Sequence, residues 1–261
     1  MRIVRLVERA TGSAVRQLIV ILASMRGDHR ISLRTVLALR RLALGPNALF
    51  PPSIPRDGSS VGDRALSQML RGAELGVWAL GPRSLDRILE LVDRVRPKVI
   101  LEFGSGYSTL AFALAISRGD VPNRRVISLE QDEAHGETTQ RMLRDHGLEE
   151  FATVVVAPLV EATVEGRLST TYGDSEELRS AVGADSPELI IVDGPAADAG
   201  GRFATIPVAH QFTASALFVL DDALRDSELA AAAAWERLPY VEIHGVEPVE
   251  KGLLFGALRP S

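Results

Sequence analysis

From residue 98 onward, short apolar runs alternate with segments of helical periodicity, and this alternation constrains the fold more than any other feature. The runs occupy residues 99–101, 125–129, 153–156, 189–192 and 216–220. Continuous apolar runs of this length are typical of strands buried on both faces of a parallel sheet. The helical segments between them lie near residues 107–118, 133–146, 174–182 and 203–214. The pattern predicts βαβ units and therefore a doubly wound, mostly parallel α/β domain.

Two further apolar runs, at residues 240–244 and 253–258, follow a helical segment near 226–237. The segment between the two runs is too short for a parallel crossover, which needs a dozen residues or more. We therefore expect an antiparallel hairpin at the edge of the sheet.

The first 83 residues have a different character. Apolar residues recur at helical spacing among arginines within residues 1–44, where a second helix covers 31–44. A stretch rich in proline and glycine near residues 45–60 marks a linker, and shorter helices are expected near 62–75 and 84–95, with Ser84 as the N-cap of the second. The sequence predicts a helical N-terminal extension or cap over residues 1–83, followed by the α/β domain over 84–261.

Charge and composition exclude several classes of function. The chain contains no cysteine, so disulfides and thiolate chemistry are excluded. The net charge of −5 combines a basic segment, residues 1–97, with an acidic body, residues 98–261, and an acidic body argues against binding to nucleic acid. The longest apolar run near the start is residues 18–23, far shorter than a transmembrane span. Because no signal peptide is recognisable, we expect a cytoplasmic protein.

The basic segment must cover its apolar stripe with other protein or with lipid. We expect residues 1–44 to pack against the acidic body of the same chain or of a second subunit, which makes a homodimer through the N-terminal helices one interpretation. The alternative is an arm that contacts an acidic membrane surface.

A glycine-rich turn follows the first predicted strand, with the sequence Glu102-Phe103-Gly104-Ser105-Gly106-Tyr107-Ser108. Glycines allow a tight turn and a close approach of the backbone to a ligand, and the helix that begins near Tyr107 directs free N–H groups toward it. The third glycine of the dinucleotide-binding fingerprint is missing, because Thr109 stands at its position. A simple strand–helix turn is the alternative interpretation.

A second acidic residue, Glu130, ends the next strand, 26 residues after Gly104. A carboxylate at this point can accept hydrogen bonds from both hydroxyls of a ribose. The alternative is an exposed charge at the end of a strand.

With these motifs, residues 84–258 resemble the class I S-adenosylmethionine-dependent methyltransferases. The resemblance implies a seven-stranded sheet of order 3-2-1-4-5-7-6 with one antiparallel strand. It also implies S-adenosylmethionine as the cofactor. The residues implied to bind it are Glu102 near the methionine ammonium group, the turn residues Gly104, Ser105, Gly106, Tyr107 and Ser108, Glu130 and Gln131 at the ribose, Ala157 beside the adenine through its backbone, and Asp193.

Three acids follow the last two parallel strands. Asp193 ends one strand, Asp221 and Asp222 end the next, and these carboxylates should converge at the carboxyl edge of the sheet. Their spacing is similar to that of metal-dependent O-methyltransferases of the catechol and sugar types, which implies that Asp193, Asp221 and Asp222 hold Mg²⁺. The alternative is that Asp193 only borders the methyl donor and Asp222 caps a helix.

The resemblance implies an enzyme that methylates a hydroxyl of a small-molecule acceptor, such as a sugar, a phenol or a natural product. Asp193, Asp222 or His210 would remove the proton from that hydroxyl. Arg202 would orient an anionic acceptor or stabilise its loop, and Trp78 would pack in the core. Three alternatives remain open: an N-methyltransferase or another S-adenosylmethionine-using transferase, a nucleotide-binding oxidoreductase, and a non-catalytic S-adenosylmethionine-binding module.

Overall fold

A computed structural model of the chain describes residues 2–51, 62, 66–68, 80–173, 175–183, 185–196 and 199–260. The helices are α1 (Arg2–Ser24), α2 (Leu33–Arg40), α3 (Pro82–Val95), α4 (Tyr107–Ser117), α5 (Glu133–Asp145), α6 (Glu176–Val182), α7 (Thr205–His210) and α8 (Asp226–Trp235). The strands are β1 (Val99–Phe103), β2 (Arg125–Glu130), β3 (Ala152–Val156), β4 (Leu159–Val164), β5 (Arg167–Tyr172), β6 (Leu189–Val192), β7 (Ala216–Leu220), β8 (Val241–Glu247) and β9 (Leu253–Leu258).

Seven of these strands form one sheet, in the order β3-β2-β1-β6-β7-β9-β8. The pairs from β3 to β7 are parallel, whereas β9 runs antiparallel to both β7 and β8. Strands β4 and β5 form a separate antiparallel hairpin. With that hairpin set aside, the order is 3-2-1-4-5-7-6, so the predicted fold class is confirmed.

The central strands are buried because both faces of the sheet are covered. Every residue of β1 and β6 is buried. Leu101 and Phe103 belong to the core on one face of the sheet, and Ile100 belongs to the core on the other face. This arrangement explains why these strands are continuous apolar runs rather than alternating ones.

Helix α3 begins earlier than the sequence suggests. Gly81 is its N-cap and Pro82 its first residue, so Ser84 lies inside the first turn and the predicted N-cap is wrong. The backbone N–H of Ser84 donates to Glu250 Oε2 at 2.8 Å. A carboxylate from the distant β8–β9 turn therefore caps this helix in place of a local side chain.

The N-terminal arm, residues 2–44, lies against the β8 edge of the sheet. Ile31 and Val246 exchange two backbone hydrogen bonds, of 2.9 and 2.8 Å, as an isolated antiparallel bridge. Nearby, the buried Glu247 pairs with both Arg30 and Arg87. The basic arm thus contacts acidic residues of its own chain. Residues 66–68 are helical, but most of the helix predicted near 62–75 lies outside the described residues, as do Trp78 and most of the predicted linker.

No helix in the described part of the chain combines the length and the apolar composition that a bilayer crossing requires.

Candidate functional site

A cavity of about 610 Å³ opens at the carboxyl ends of β1, β2 and β6. This is the sheet edge at which open α/β folds bind ligands, and the volume suits a ligand of cofactor size. The lining residues are Gly104, Ser105, Glu130, Gln131, Asp132, Ala134, His135, Thr138, Tyr172, Asp193, Gly194, Ala196 and Arg202.

The glycine turn brings two backbones into contact on one side of this cavity. Gly104 has a φ of +95°, in the left-handed region. A Cβ added to Gly104 would stand 3.2 Å from the nitrogen of Gly194, and one added to Gly194 would stand 2.4 Å from the hydroxyl oxygen of Tyr172. The turns after β1 and β6 can approach this closely because both positions lack a side chain.

Glu102 lies beneath the turn, fully buried, and does not line the cavity. Its carboxylate accepts hydrogen bonds from the hydroxyls of Ser108, Thr109 and Ser128. Burial raises the pKa of Glu102 to about 7, although these three hydroxyls oppose the shift. The carboxylate is thus enclosed and already bonded, and the predicted contact between Glu102 and a methionine ammonium group would require it to leave these partners.

Glu130 does face the cavity, and it organises the surrounding backbone. Its Oε2 accepts from the N–H and the hydroxyl of Ser105, at 3.1 and 2.9 Å. Its Oε1 accepts from the N–H groups of Gln131 and Asp132, at 2.8 and 3.1 Å. One carboxylate thus joins the loops that follow β1 and β2.

The cavity is also lined by His135 and Tyr172, for which no binding role is predicted from the sequence. His135, in the first turn of α5, places Nε2 3.0 Å from the backbone oxygen of Ser105. Tyr172 comes from the β4–β5 hairpin, and its hydroxyl donates to Gln131 Oε1 at 3.5 Å. His135 could have been predicted to lie near the cavity, because it follows Glu130 by only five residues. Tyr172 could not, because it belongs to a hairpin that the sequence analysis does not predict.

The sequence predicted ten residues at the cofactor, and the structure brings five of them to the cavity, namely Gly104, Ser105, Glu130, Gln131 and Asp193. The other five are Glu102, Gly106, Tyr107, Ser108 and Ala157. Ser108 is occupied by Glu102, Tyr107 packs against the core under α4, and Ala157 is buried behind the end of β3. None of these five residues is among those that line the cavity.

The three acids predicted to converge do so. Carboxylate oxygens of Asp193, Asp221 and Asp222 lie within 4.8 Å of one another. Only Asp193 lines the cavity, with 14% of its side chain exposed. Asp221 and Asp222 lie deeper and are buried.

Three cationic side chains of the same chain surround this acid cluster. Lys251 Nζ lies 2.6 Å from Asp222 Oδ1 and 3.2 Å from Asp221 Oδ2. Arg202 Nη2 lies 3.2 Å from Asp193 Oδ1 and 3.3 Å from Asp222 Oδ2. A nitrogen of Arg225 lies 2.9 Å from Asp222 Oδ2. The acids and the cations thus form one buried ion network. Opposite charges at these distances attract one another strongly when they are buried.

The electrostatics of the network differ from acid to acid. Burial raises the pKa of Asp193, and the charge of Arg202 opposes this shift. Burial also raises the pKa of Asp221 to about 8, with repulsion from Asp222 adding to it. The pKa of Asp222 is lowered, because the charges of Arg202, Lys251 and Arg225 outweigh burial. The pKa of Asp222 thus shifts in the opposite direction from those of Asp193 and Asp221, because all three cations lie close to the Asp222 carboxylate.

The residues present do not fit the predicted Mg²⁺. This ion binds carboxylates at 2.0–2.1 Å in octahedral geometry and usually keeps several waters. The space between Asp221 and Asp222 contains the ammonium group of Lys251, and neither acid borders the cavity from which waters and an acceptor would come. With Lys251 in this position, Asp193, Asp221 and Asp222 do not form a Mg²⁺ site.

Asp222 and His210 do not fit the predicted role of general base. Asp222 is enclosed by its three cations. The ring of His210 stacks on that of Tyr240, with centroids 3.9 Å apart. Tyr240 immediately precedes β8, which runs parallel to β7, so this pair lies at the amino edge of the sheet. His210 therefore lies at the edge of the sheet opposite to the cavity. Of the three candidates, Asp193 is the one that borders the cavity.

No protein-family model and no curated protein matches the chain. Solved structures do resemble it. The O-methyltransferase from Bacillus cereus in complex with SAH superposes with a TM-score of 0.56 at 17% identity, covering 80% of this chain and 94% of the other. Cofactor-bound Rv0187 from MTB gives 0.55 at 19% identity, with 78% and 94% covered.

A third similar structure is the O-methyltransferase TomG from Streptomyces achromogenes, involved in tomaymycin synthesis and crystallised with SAM. Its TM-score is 0.53 at 19% identity, covering 76% of this chain and 91% of the other. At such identities the likeness concerns the fold. The chain therefore has the fold of the S-adenosylmethionine-dependent methyltransferases that the glycine turn and the strand-end acids had suggested.

Proposed function

We propose that this protein is an S-adenosylmethionine-dependent methyltransferase that methylates a hydroxyl oxygen of a small-molecule acceptor. The observation that carries the proposal is the cavity at the carboxyl edge of the sheet, where Glu130, the glycine turn and Asp193 meet. The solved structures of similar fold support it, since they include O-methyltransferases crystallised with SAM or SAH. The cytoplasmic location and the homodimer stay predictions.

The lining suits the proposed cofactor. A ribose can donate both hydroxyls to Glu130, provided that the Ser105 hydroxyl releases Oε2. That hydroxyl has a second partner within reach, since Thr139 Oγ1 lies 3.1 Å from it. We infer that cofactor binding shifts the Ser105 hydroxyl toward Thr139 and frees an oxygen of Glu130 for the ribose.

The bound cofactor would supply a methyl group already activated by its sulfonium charge. The protein's contribution is then to orient the acceptor and to accept its proton. Asp193 is the acid at the cavity wall, and Arg202 holds one of its oxygens at 3.2 Å, which fixes the direction of the carboxylate. We infer that Asp193 accepts the hydroxyl proton as general base.

The first test is cofactor binding. Glu130→Ala should weaken S-adenosylmethionine by about 1.5–3 kcal/mol, which is roughly tenfold to more than a hundredfold in Kd, because charge-assisted hydrogen bonds are lost. Calorimetry with S-adenosylmethionine and S-adenosylhomocysteine measures this effect. Glu137→Gln, an exposed glutamate in α5, is the matched control and should bind as the wild type does.

Tight binding of NAD, or equal affinity of Glu130→Ala and the wild type for S-adenosylmethionine, would contradict this proposal. NAD binding would favour the oxidoreductase alternative.

The second test concerns the base. Asp193→Asn should lower kcat at least about a hundredfold, in line with the usual contribution of general base catalysis. S-adenosylhomocysteine formation over a panel of phenols, sugars and other small alcohols provides the assay. A variant that keeps its kcat and its pH–rate profile would show that another group accepts the proton. Cofactor turnover by the wild type with amines alone would instead favour N-methylation.

A further inference from the structure

The acid cluster at the ends of β6 and β7 has the oxygen ligands of a divalent-cation site, yet its interior is occupied by a side chain. Lys251 belongs to the turn between β8 and β9, and it is 4% exposed. Its ammonium group contacts one oxygen of Asp221 and one of Asp222, at 3.2 and 2.6 Å. Because β9 pairs antiparallel with β7, the start of β9 lies beside the end of β7, and the fold itself delivers Lys251 to this point.

Lys251 is also an unusual residue in this chain. The sequence contains only two lysines, and the other one, Lys98, is exposed at the start of β1. Burying an ammonium group costs several kcal/mol unless paired carboxylates compensate. Asp222 provides the compensating charge and Asp221 a second oxygen contact, while Arg202 and Arg225 contact the other oxygen of Asp222.

We propose that Lys251 is the resident cation of this cluster, in the place where a divalent ion would bind, and that the protein works without a metal there. A dication between Asp221 and Asp222 would overlap the space of the ammonium group. The assignment of Lys251 stands without the proposed function, whereas its consequence for methyl transfer rests on that function.

Lys251 is a positioning residue in this arrangement, since the cavity lining excludes it. By holding Asp221 and Asp222, it leaves Arg202 to orient Asp193 at the cavity wall. The charge that a metal would bring to a deprotonated acceptor is absent. Without that charge to stabilise an alkoxide, the hydroxyl proton would leave as the methyl group arrives, and Asp193 is the carboxylate at the cavity wall that can accept it.

The decisive measurement is binding of Mn²⁺ as a probe for the divalent site, followed by electron paramagnetic resonance of the free ion. The wild type should bind no Mn²⁺ at the cluster. Binding of one Mn²⁺ per chain that is lost in Asp221→Asn would overturn the proposal. The readout needs neither cofactor nor acceptor, so it is separate from the test of the proposed function.

Replacing Lys251 with a small neutral residue should open a divalent-cation site between Asp221 and Asp222. In Lys251→Ala, the acids lose their partner, the melting temperature should fall, and added Mn²⁺ should raise it by several degrees. Lys251→Arg keeps the charge and should stay insensitive to Mn²⁺, as should the matched control Lys98→Ala.

A folded Lys251→Ala that ignores Mn²⁺ would overturn the assignment of Lys251 as a substitute cation. If Lys251→Ala does not fold, the wild-type titration decides alone. Calorimetry in EDTA completes the design, since S-adenosylmethionine should bind with an unchanged Kd. Failure to bind in any buffer would count against the proposed function and leave the Mn²⁺ result valid.

Discussion

Arg202→Met is expected to lower the free energy of unfolding by about 3–5 kcal/mol, the usual loss when one partner of a buried ion network is removed. Arg202 is 4% exposed and holds Asp193 and Asp222 with one nitrogen. Another nitrogen donates to the backbone oxygen of Asp221 at 2.8 Å. Among the described residues, its removal leaves Lys251 and Arg225 to compensate the acids. Urea denaturation at pH 7 measures the change.

The matched control is Arg34→Met. Arg34 forms an exposed ion pair with Glu236, with 86% of the arginine side chain accessible. Exposed pairs contribute about 0–1 kcal/mol, so this variant should unfold close to the wild type. The Arg202→Met deficit should also shrink at low pH, where the orphaned acids take up protons. A deficit equal to that of Arg34→Met would contradict the ion-network interpretation.

Glu102→Gln is expected to remove a pH dependence of stability. Burial raises the pKa of Glu102 from its ordinary value of 4.5 to about 7. Between these values the folded protein holds a proton that the unfolded chain releases, so the stabilising contribution of this proton is complete below pH 4.5. The Glu102 contribution should fall by about 3 kcal/mol as the pH rises from 4.5 to 7, because each pKa unit corresponds to about 1.4 kcal/mol.

The glutamine cannot titrate, so the stability of Glu102→Gln relative to the wild type should rise by this amount over the same interval. Urea denaturation at closely spaced pH values gives both curves. The exposed Glu137→Gln serves as the control and should run parallel to the wild type. If Glu102→Gln also runs parallel to the wild type, then Glu102 is ionised in the folded protein throughout this interval.

The main sheet could be predicted because its signal is local. Each parallel strand is an apolar run long enough to be recognised as a buried strand from the sequence. The short segment between the last two runs allows only an antiparallel connection. The β4–β5 hairpin was missed, although a signal existed. Glu165 and Gly166 both have positive φ at the tip of the hairpin. A Glu–Gly pair between two alternating segments is a weaker turn signal than Asn–Gly, and the strands are half exposed and rich in polar residues.

The site was predicted in part, because strand ends fix which residues approach the ligand edge but not which way each side chain points. Glu130 is the last residue of β2 and faces the cavity, whereas Glu102 still lies within β1 and faces three hydroxyls beneath the turn. The distinction requires knowing the last strand residue to within one position. His210 was misplaced because α7 is short, and its end lies back at the amino edge of the sheet.

The burial of Lys251 beside the acids depends on the pairing of strands that are far apart in the sequence. Nothing near it in sequence distinguishes a buried lysine from a solvated one in a turn. The pairing of Leu220 with Leu254 is what carries Lys251 to the acids at the end of β7. The predicted topology contained this information, since an antiparallel neighbour of the fifth parallel strand must begin where that strand ends.

Because β9 lies between β7 and β8, the sheet cannot be completed during translation until β9 has been synthesised. Among the described strands, β9 is synthesised last, yet it occupies an interior place in the sheet. Until it emerges, β7 keeps an open edge, β8 has no neighbour through which to join the sheet, and the acids lack Lys251. The N-terminal arm is synthesised long before the strand against which it packs, since Arg30 precedes its partner Glu247 by 217 residues. Closure over such separations is slow, and the nascent chain carries an unpaired edge, an aggregation hazard, until translation has passed residue 258.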